Sequence, residues 1–255
     1  MRKKKRKYEI AVISKGAYAR TLRIYVPKKA DRAIIMHDGQ NVFYDGDSSF
    51  GKSWRAIDVL GASGVKNTAV IGIDSTNTRD DDYMPFPSEL GAYGVTSGGG
   101  KADEYVDYIE TKVIPYLDGR FGFKFYGMLG SSAGALATLY FASRRNARVK
   151  AYGMFSTPLF VSSKAFDGFF ETARFDETAY YAIYAGGSES VGEVTDPELS
   201  ARVSDFFVND ALAVTNAVRA SGAKKLWLSV ENESVHDETS WRLPEKRFMT
   251  EFSKL

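Results

Sequence analysis

Apolar residues arrive along this chain in two rhythms. Residues 8–14 and 21–26 alternate apolar and polar positions, the period of a half-buried strand, and a turn containing Gly16 joins them, which predicts an antiparallel hairpin. Six later segments are continuous apolar runs instead: 33–36, 69–73, 123–129, 151–155, 181–185 and 226–230. Such runs are expected of strands covered on both faces. Helical spacing fills the intervals. Trp54, Ile57, Val59 and Leu60 mark one helix. Tyr105, Val106, Ile109, Val113, Ile114 and Leu117 mark a second, with Pro115 expected to kink it. Leu136 and Leu139 follow in a third. Val203, Phe207, Ala211, Val214 and Val218 form the stripe of a fourth, and the chain is expected to end in a helix over 239–253. Strands alternating with helices predict an α/β fold: a mostly parallel central sheet, an antiparallel N-terminal hairpin, helices on both faces and no separate lid domain. Two stretches, 75–100 and 156–177, read as long irregular loops. Both follow strands, and therefore lie at the carboxyl end of the sheet where α/β proteins bind ligands.

Composition narrows the class. The 255 residues are 44% hydrophobic and 26% charged, with no apolar stretch near the roughly 20 residues of a membrane span. The formal charge of +2 conceals an asymmetry. Residues 2–7 hold six of the 34 basic side chains, so 28 basic residues face 32 acidic ones in the body, which is net acidic. A nucleic-acid-binding surface is not expected there. Residues 1–7 are expected to be a disordered basic tail, and 8–255 one domain. No signal-peptide apolar region follows the basic start. The chain has no cysteine, which removes disulfides, thiolate metal sites and a cysteine nucleophile. Two histidines make a multi-histidine metal site an unexpected feature. A cytoplasmic location fits these features.

Against this background the pentapeptide Gly130-Ser131-Ser132-Ala133-Gly134 stands out. It lies between the run 123–129 and the helix carrying Leu136. A Gly-x-Ser-x-Gly string in a strand–turn–helix context is the pattern of a nucleophile elbow, in which a strained turn presents the serine hydroxyl. The same serine also fits an ordinary helix N-cap. A serine nucleophile needs a base, because its hydroxyl barely ionises at neutral pH. Only His37 and His236 are available. His236 follows Ser132 in the chain and lies just beyond the last strand, in the order serine, acid, histidine; His37 is expected to anchor the loop after it. The acid should follow the run 181–185. Glu189 is the candidate, Asp196 competes with it, and Asp237 and Glu238 adjoin the histidine. The backbone N–H groups of Ala133 and Gln40 are expected to form an oxyanion hole. Gly98-Gly99-Gly100-Lys101 imitates the end of a phosphate-binding loop, but Val95 and Ala102 stand where that motif needs Gly and Ser or Thr.

These residues, with their neighbours, resemble a family of α/β-hydrolase esterases that includes enterochelin esterases, esterase D and bacterial feruloyl or acetyl-xylan esterases. Met36-His37-Asp38-Gly39-Gln40-Asn41-Val42-Phe43 is similar to its strand and oxyanion loop. Arg79-Asp80-Asp81-Asp82-Tyr83-Met84-Pro85 is similar to its Arg-x-x-Glu-Tyr-x-Pro segment, with Asp82 in place of Glu. Val113-Ile114-Pro115-Tyr116-Leu117-Asp118 resembles the helix end before the elbow strand. Phe155-Ser156-Thr157-Pro158 resembles a Phe-Ser-Pro segment, and His236-Asp237-Glu238-Thr239-Ser240-Trp241-Arg242 resembles a His-x-Glu-x-x-Trp-Arg ending. Ala133 stands where the family usually has Met, and Ala135 where it has Gly. The resemblance implies Ser132 as nucleophile, His236 as base and Glu189 as acid. It implies a substrate pocket near Asp38, Arg79, Tyr83, Ser131, Pro158 and Trp241, with no cofactor and no metal. The expected activity is hydrolysis of a small-molecule or carbohydrate-linked ester through an acyl-enzyme. Acyl transfer on the same fold, or an inactive binding protein built on it, are the alternatives. The sequence does not indicate the ester or the oligomeric state.

Overall fold

A computed structural model describes residues 7–14, 19–90, 98–192 and 194–255. The basic tail up to residue 6 and the turn at Gly16 lie outside the described residues. Eight strands form one sheet: β1 Glu9–Ile13, β2 Arg20–Tyr25, β3 Arg32–Met36, β4 Thr68–Ile73, β5 Tyr126–Ser131, β6 Val149–Phe155, β7 Tyr180–Gly186 and β8 Lys225–Glu231. Their order is β1-β2-β4-β3-β5-β6-β7-β8. β1 pairs antiparallel with β2, and β2 with β4. From β4 to β8 every pairing is parallel. Every residue of β4, β5 and β7 is buried, as the continuous apolar runs predict. β8, on the sheet's margin, is partly exposed along its length.

Helices cover both faces. α1 (Ala56–Ser63) and α8 (Glu238–Phe252) pack together over one face, and Ile57, Leu60, Trp241, Phe248 and Phe252 join that core. The other face is covered by α2 (Arg79–Tyr83), α3 (Ala102–Tyr108), α4 (Ile114–Phe121), α5 (Ala133–Ser143), α6 (Ser163–Thr172) and α7 (Pro197–Ala220). Tyr105, Leu117, Leu136, Phe166 and Val214 join its core. Each such buried side chain contributes about 1.5–3 kcal/mol.

Pro115, expected to kink its helix, falls where the helix turns irregular. A π-helical turn, Ile109–Val113, runs between α3 and α4, and Pro115 sits in the first turn of α4. The wider turn makes room for a ring that would otherwise strike the carbonyl of Thr111. The stretch 156–177 is not one irregular loop: a 3-10 turn, Leu159–Ser162, leads into α6. Phe166, Phe169 and Phe170 have the spacing of one helix face, and Phe166 is packed between Phe86 and Phe169. The helix signal is short and broken by Gly168. The stretch 75–100 likewise contains the short helix α2. The Gly98–Lys101 segment closes onto it: the Gly99 N–H donates to Asp81 Oδ1 at 2.9 Å, and Lys101 Nζ reaches Asp81 Oδ2 at 2.8 Å.

α8 carries one discordant core residue. Glu245 is fully buried in the stripe that faces the sheet, and neither of its carboxyl oxygens has a hydrogen-bond partner among the described residues. Burial pushes its pKa well above the ordinary 4.5, against a smaller opposing pull from Arg242. An unsatisfied buried polar group costs about 1–3 kcal/mol. Glu245→Met is therefore expected to raise the melting temperature. The sign of the pH effect follows. A carboxyl whose folded pKa is raised gives full stability below 4.5 and loses it as pH rises towards the folded value, by about 1.4 kcal/mol per pH unit. Thermal melts should thus show a larger gain for the variant at pH 8 than at pH 5; an equal gain at both would mean that the carboxyl ionises freely in the fold.

Candidate active site

The carboxyl ends of β3, β5, β7 and β8 each deliver one part of the site. After β5, Ser132 adopts φ 53° and ψ −131°, a strained conformation for a residue with a Cβ. Its hydroxyl makes no capping bond to α5, which disposes of the plain N-cap reading. The elbow closes tightly. A Cβ on Gly130 would lie 2.3 Å from the Gly134 carbonyl oxygen and 2.8 Å from His37 Cδ2.

His37 is a strut beneath this turn, not an anchor for the loop after β3. Its Nδ1 lies 2.8 Å from the Tyr105 hydroxyl and its Nε2 3.1 Å from Thr138 Oγ1. Thr138 gives its own proton to the Gly134 carbonyl at 3.0 Å, so it accepts from Nε2–H, and Nδ1 accepts from Tyr105. Burial lowers the pKa of His37 to about 4. The imidazole is neutral, buried and fully partnered, and has no role as a base.

His236 lies beyond β8, just before α8. Its Nδ1 meets Glu189 Oε2 at 2.7 Å, and its backbone N–H donates to the Glu189 carbonyl at 3.2 Å. The Glu189 side chain is completely buried. The other acids near this histidine are engaged elsewhere. Asp196 caps α7, accepting from the Leu199 N–H at 2.8 Å. Asp237 caps α8 through the Ser240 N–H and pairs with Lys52 at 2.7 Å. Glu238 accepts from Asn41 Nδ2 at 3.1 Å, and burial raises its pKa.

After β3, Asp38 turns into the left-handed region at φ 52° and starts a 3-10 turn, Gly39–Asn41. Gly39 is required there, because a Cβ would lie 2.6 Å from the Gly72 carbonyl carbon. Arg79 grips Asp38 through two bonds of 2.8 Å, and Tyr83 accepts the Asp38 N–H at 3.0 Å. Burial works against the Asp38 carboxylate, but the Arg79 pairing outweighs it and holds its pKa below the ordinary value. Gln40 sits inside this turn, its side chain drawn aside to Ser75 by bonds of 2.8 and 3.1 Å.

A cavity of about 260 Å³ brings these parts together. Ser131, Ser132, His236, Asp38, Arg79 and Trp241 line it, as do Asn41, Phe50, Lys52, Trp54, Asp237 and Glu238. Two expected pocket residues do not. Tyr83 is buried behind Asp38, which it supports, and Pro158 is buried at the start of the 3-10 turn before α6. Phe50 and Lys52 carry no signal in the sequence, and Trp54, expected to mark the following helix, lies just before α1 and faces the cavity instead. All three lie between β3 and α1, and Phe50 is 72% exposed at the cavity. Trp54 stacks on Trp241 at 5.5 Å to form an aromatic wall. Among the described residues no group of three or more His, Cys, Asp or Glu side chains is arranged to hold a metal ion. No helix among them is long and apolar enough to cross a membrane.

A mostly parallel eight-stranded sheet with an antiparallel N-terminal hairpin and helices on both faces, with Ser132 after β5, Glu189 after β7 and His236 after β8, is the α/β-hydrolase fold. Residues 18–247 match the model of the family described as Putative esterase, and the chain belongs to that family of ester-hydrolysing enzymes. Solved structures share the fold. The siderophore hydrolase EstA from Aspergillus nidulans superposes with a TM-score of 0.74 at 16% identity, covering 98% of this chain and 95% of its own. An IroE-like serine hydrolase from Shewanella oneidensis gives 0.70 at 15%, covering 97% and 80%. The enterobactin esterase FES from Shigella flexneri gives 0.68 at 10%, covering 99% of this chain but 60% of its own. No curated protein matches the sequence.

Proposed function

We propose that this esterase works through a Ser132–His236–Glu189 triad and an acyl-enzyme. His236 Nε2 takes the Ser132 proton as the hydroxyl oxygen attacks the ester carbonyl. The Ala133 and Gln40 N–H groups receive the oxyanion. His236 then protonates the departing alcohol, and water repeats the cycle on the acyl-serine. Glu189, bonded to Nδ1, fixes the tautomer that leaves Nε2 free to accept, and it stabilises the imidazolium that forms. The observation that carries this reading is the His236–Glu189 contact of 2.7 Å beside a cavity that Ser132 also lines. The aromatic wall of Trp54 and Trp241, with Phe50 at the mouth and polar groups around it, suits a small ester with an aromatic or polyhydroxylated part. Siderophore esters are the first substrates to try, since structures of the same fold are described as a siderophore hydrolase and an enterobactin esterase.

The test is covalent labelling. A fluorophosphonate probe is expected to modify one serine, and peptide mass spectrometry should place the adduct on Ser132. Turnover of p-nitrophenyl acetate should stop in step with labelling. An adduct on another serine, or full turnover by the labelled protein, would overturn the assignment.

A further inference from the structure

Ser156, one residue past the end of β6, is neither exposed nor part of the cavity wall. Three observations single it out. First, it holds a φ of 51°, the left-handed region, where a glycine would sit without strain. Second, its hydroxyl has a complete and directional set of partners. Trp241 Nε1 donates to Ser156 Oγ at 2.9 Å, so the only hydroxyl proton is free for Glu189 Oε1, 2.5 Å away. Third, that carboxylate has its other oxygen on His236, and the Gly186 N–H shares Oε1 at 2.5 Å. Strain at a non-glycine residue persists only where the surroundings enforce it, and it gathers at functional sites. The surroundings here are the end of β6, the loop after β7 and α8, the last two of which supply the acid and the tryptophan.

We infer that Ser156 is a positioning residue: its hydroxyl, itself oriented by Trp241, locks the Glu189 carboxylate in the rotation that aims Oε2 at His236 Nδ1. This rests on the triad proposed for the esterase. Two hydrogen bonds to Oε1 leave the carboxylate no freedom to turn about its last torsion, which is otherwise broad for glutamate. Trp241 also sets its ring edge-on to His236 at 5.1 Å, so one indole orients both the relay and the imidazole. The sequence hides this arrangement, because Ser156, Glu189 and Trp241 are far apart along the chain.

The test compares Ser156→Gly with Ser156→Ala, using p-nitrophenyl acetate kinetics and thermal melts. Both lack the hydroxyl; only the glycine relieves the backbone. Both should lose kcat by roughly 10- to 100-fold, the equivalent of one hydrogen bond to a charged group, with KM little changed because Ser156 does not line the cavity. The glycine variant should melt above the alanine variant. Matching kcat losses at unequal melting temperatures support a role for the hydroxyl in chemistry. Wild-type kcat in either variant, a change confined to KM, or losses that track the melting temperature would overturn it. Ser132→Ala, assayed beside them, separates the two claims. If it keeps its turnover, the triad fails. If it loses turnover while the Ser156 variants keep theirs, only the positioning role of Ser156 fails.

Discussion

Ser132→Ala is expected to lower kcat for p-nitrophenyl acetate by about 10⁵- to 10⁶-fold, the scale seen when a serine nucleophile is removed. Its fold should stay intact. The alanine keeps the Cβ and therefore inherits the same φ of 53°, and the Ser132 N–H to Phe155 carbonyl bond of 3.0 Å does not involve the side chain. The melting temperature should move by no more than about 2 °C, consistent with a substitution of about 0.5 kcal/mol or less. A trace of activity is expected to survive, since an oxyanion hole and a binding site still act on the ester without a nucleophile. Steady-state rates and a melting curve on the same preparation check both halves. A variant that retains even a tenth of the wild-type rate would remove Ser132 from the chemistry.

The second large effect falls on the fold. Gly130→Ala adds one methyl group, which would lie 2.3 Å from the Gly134 oxygen and 2.4 Å from its carbonyl carbon. These are backbone atoms of α5, and no side-chain rotation relieves them. The His37 ring, 2.8 Å from the same methyl, is held by Tyr105 and Thr138 and has nowhere to go. The cost is expected to be about 3 kcal/mol or more, beyond the usual range of overpacking because strand and helix must part. The variant should accumulate as insoluble protein or melt at least 10 °C lower. A soluble variant with the wild-type melting temperature would show that β5 and α5 are less closely joined than the distances say.

The strands were the most legible part of the sequence. Short unbroken apolar runs, each bounded by polar or turn-forming residues, suit a strand covered on both faces and are too brief to span a membrane. Chain order, a property of the fold's topology that survives without coordinates, pointed to Ser132, His236 and Glu189 as candidates, and the structure puts Glu189 against His236 and both Ser132 and His236 on one cavity. The function of His37 was not legible. It depends on β3 lying next to β5 in the sheet, although β4 separates them in sequence. The ring thereby comes to rest under a turn almost 100 residues further on. The same holds for Phe50, Lys52 and Trp54, whose segment reaches the cavity only because β3 ends beside the elbow. α6 was hidden for a different reason: ten residues containing a glycine and several polar side chains give too short a stripe to register as periodic. Pro115 signalled an irregularity in its helix, but not its form, a π turn just before the proline.

Among the described residues β8 has a hydrogen-bonded neighbour on one side only, and the proposed base hangs from its end. Ser132, by contrast, follows a strand flanked on both sides and buried throughout. Amide exchange in such a sheet begins at the margin, where opening is least costly, and reaches the centre last. The two halves of the reaction thus belong to regions of unequal permanence. Under the proposed triad, fraying at β8 would disarm Ser132 reversibly, by withdrawing its proton acceptor, while the strand and helix around Ser132 stay folded.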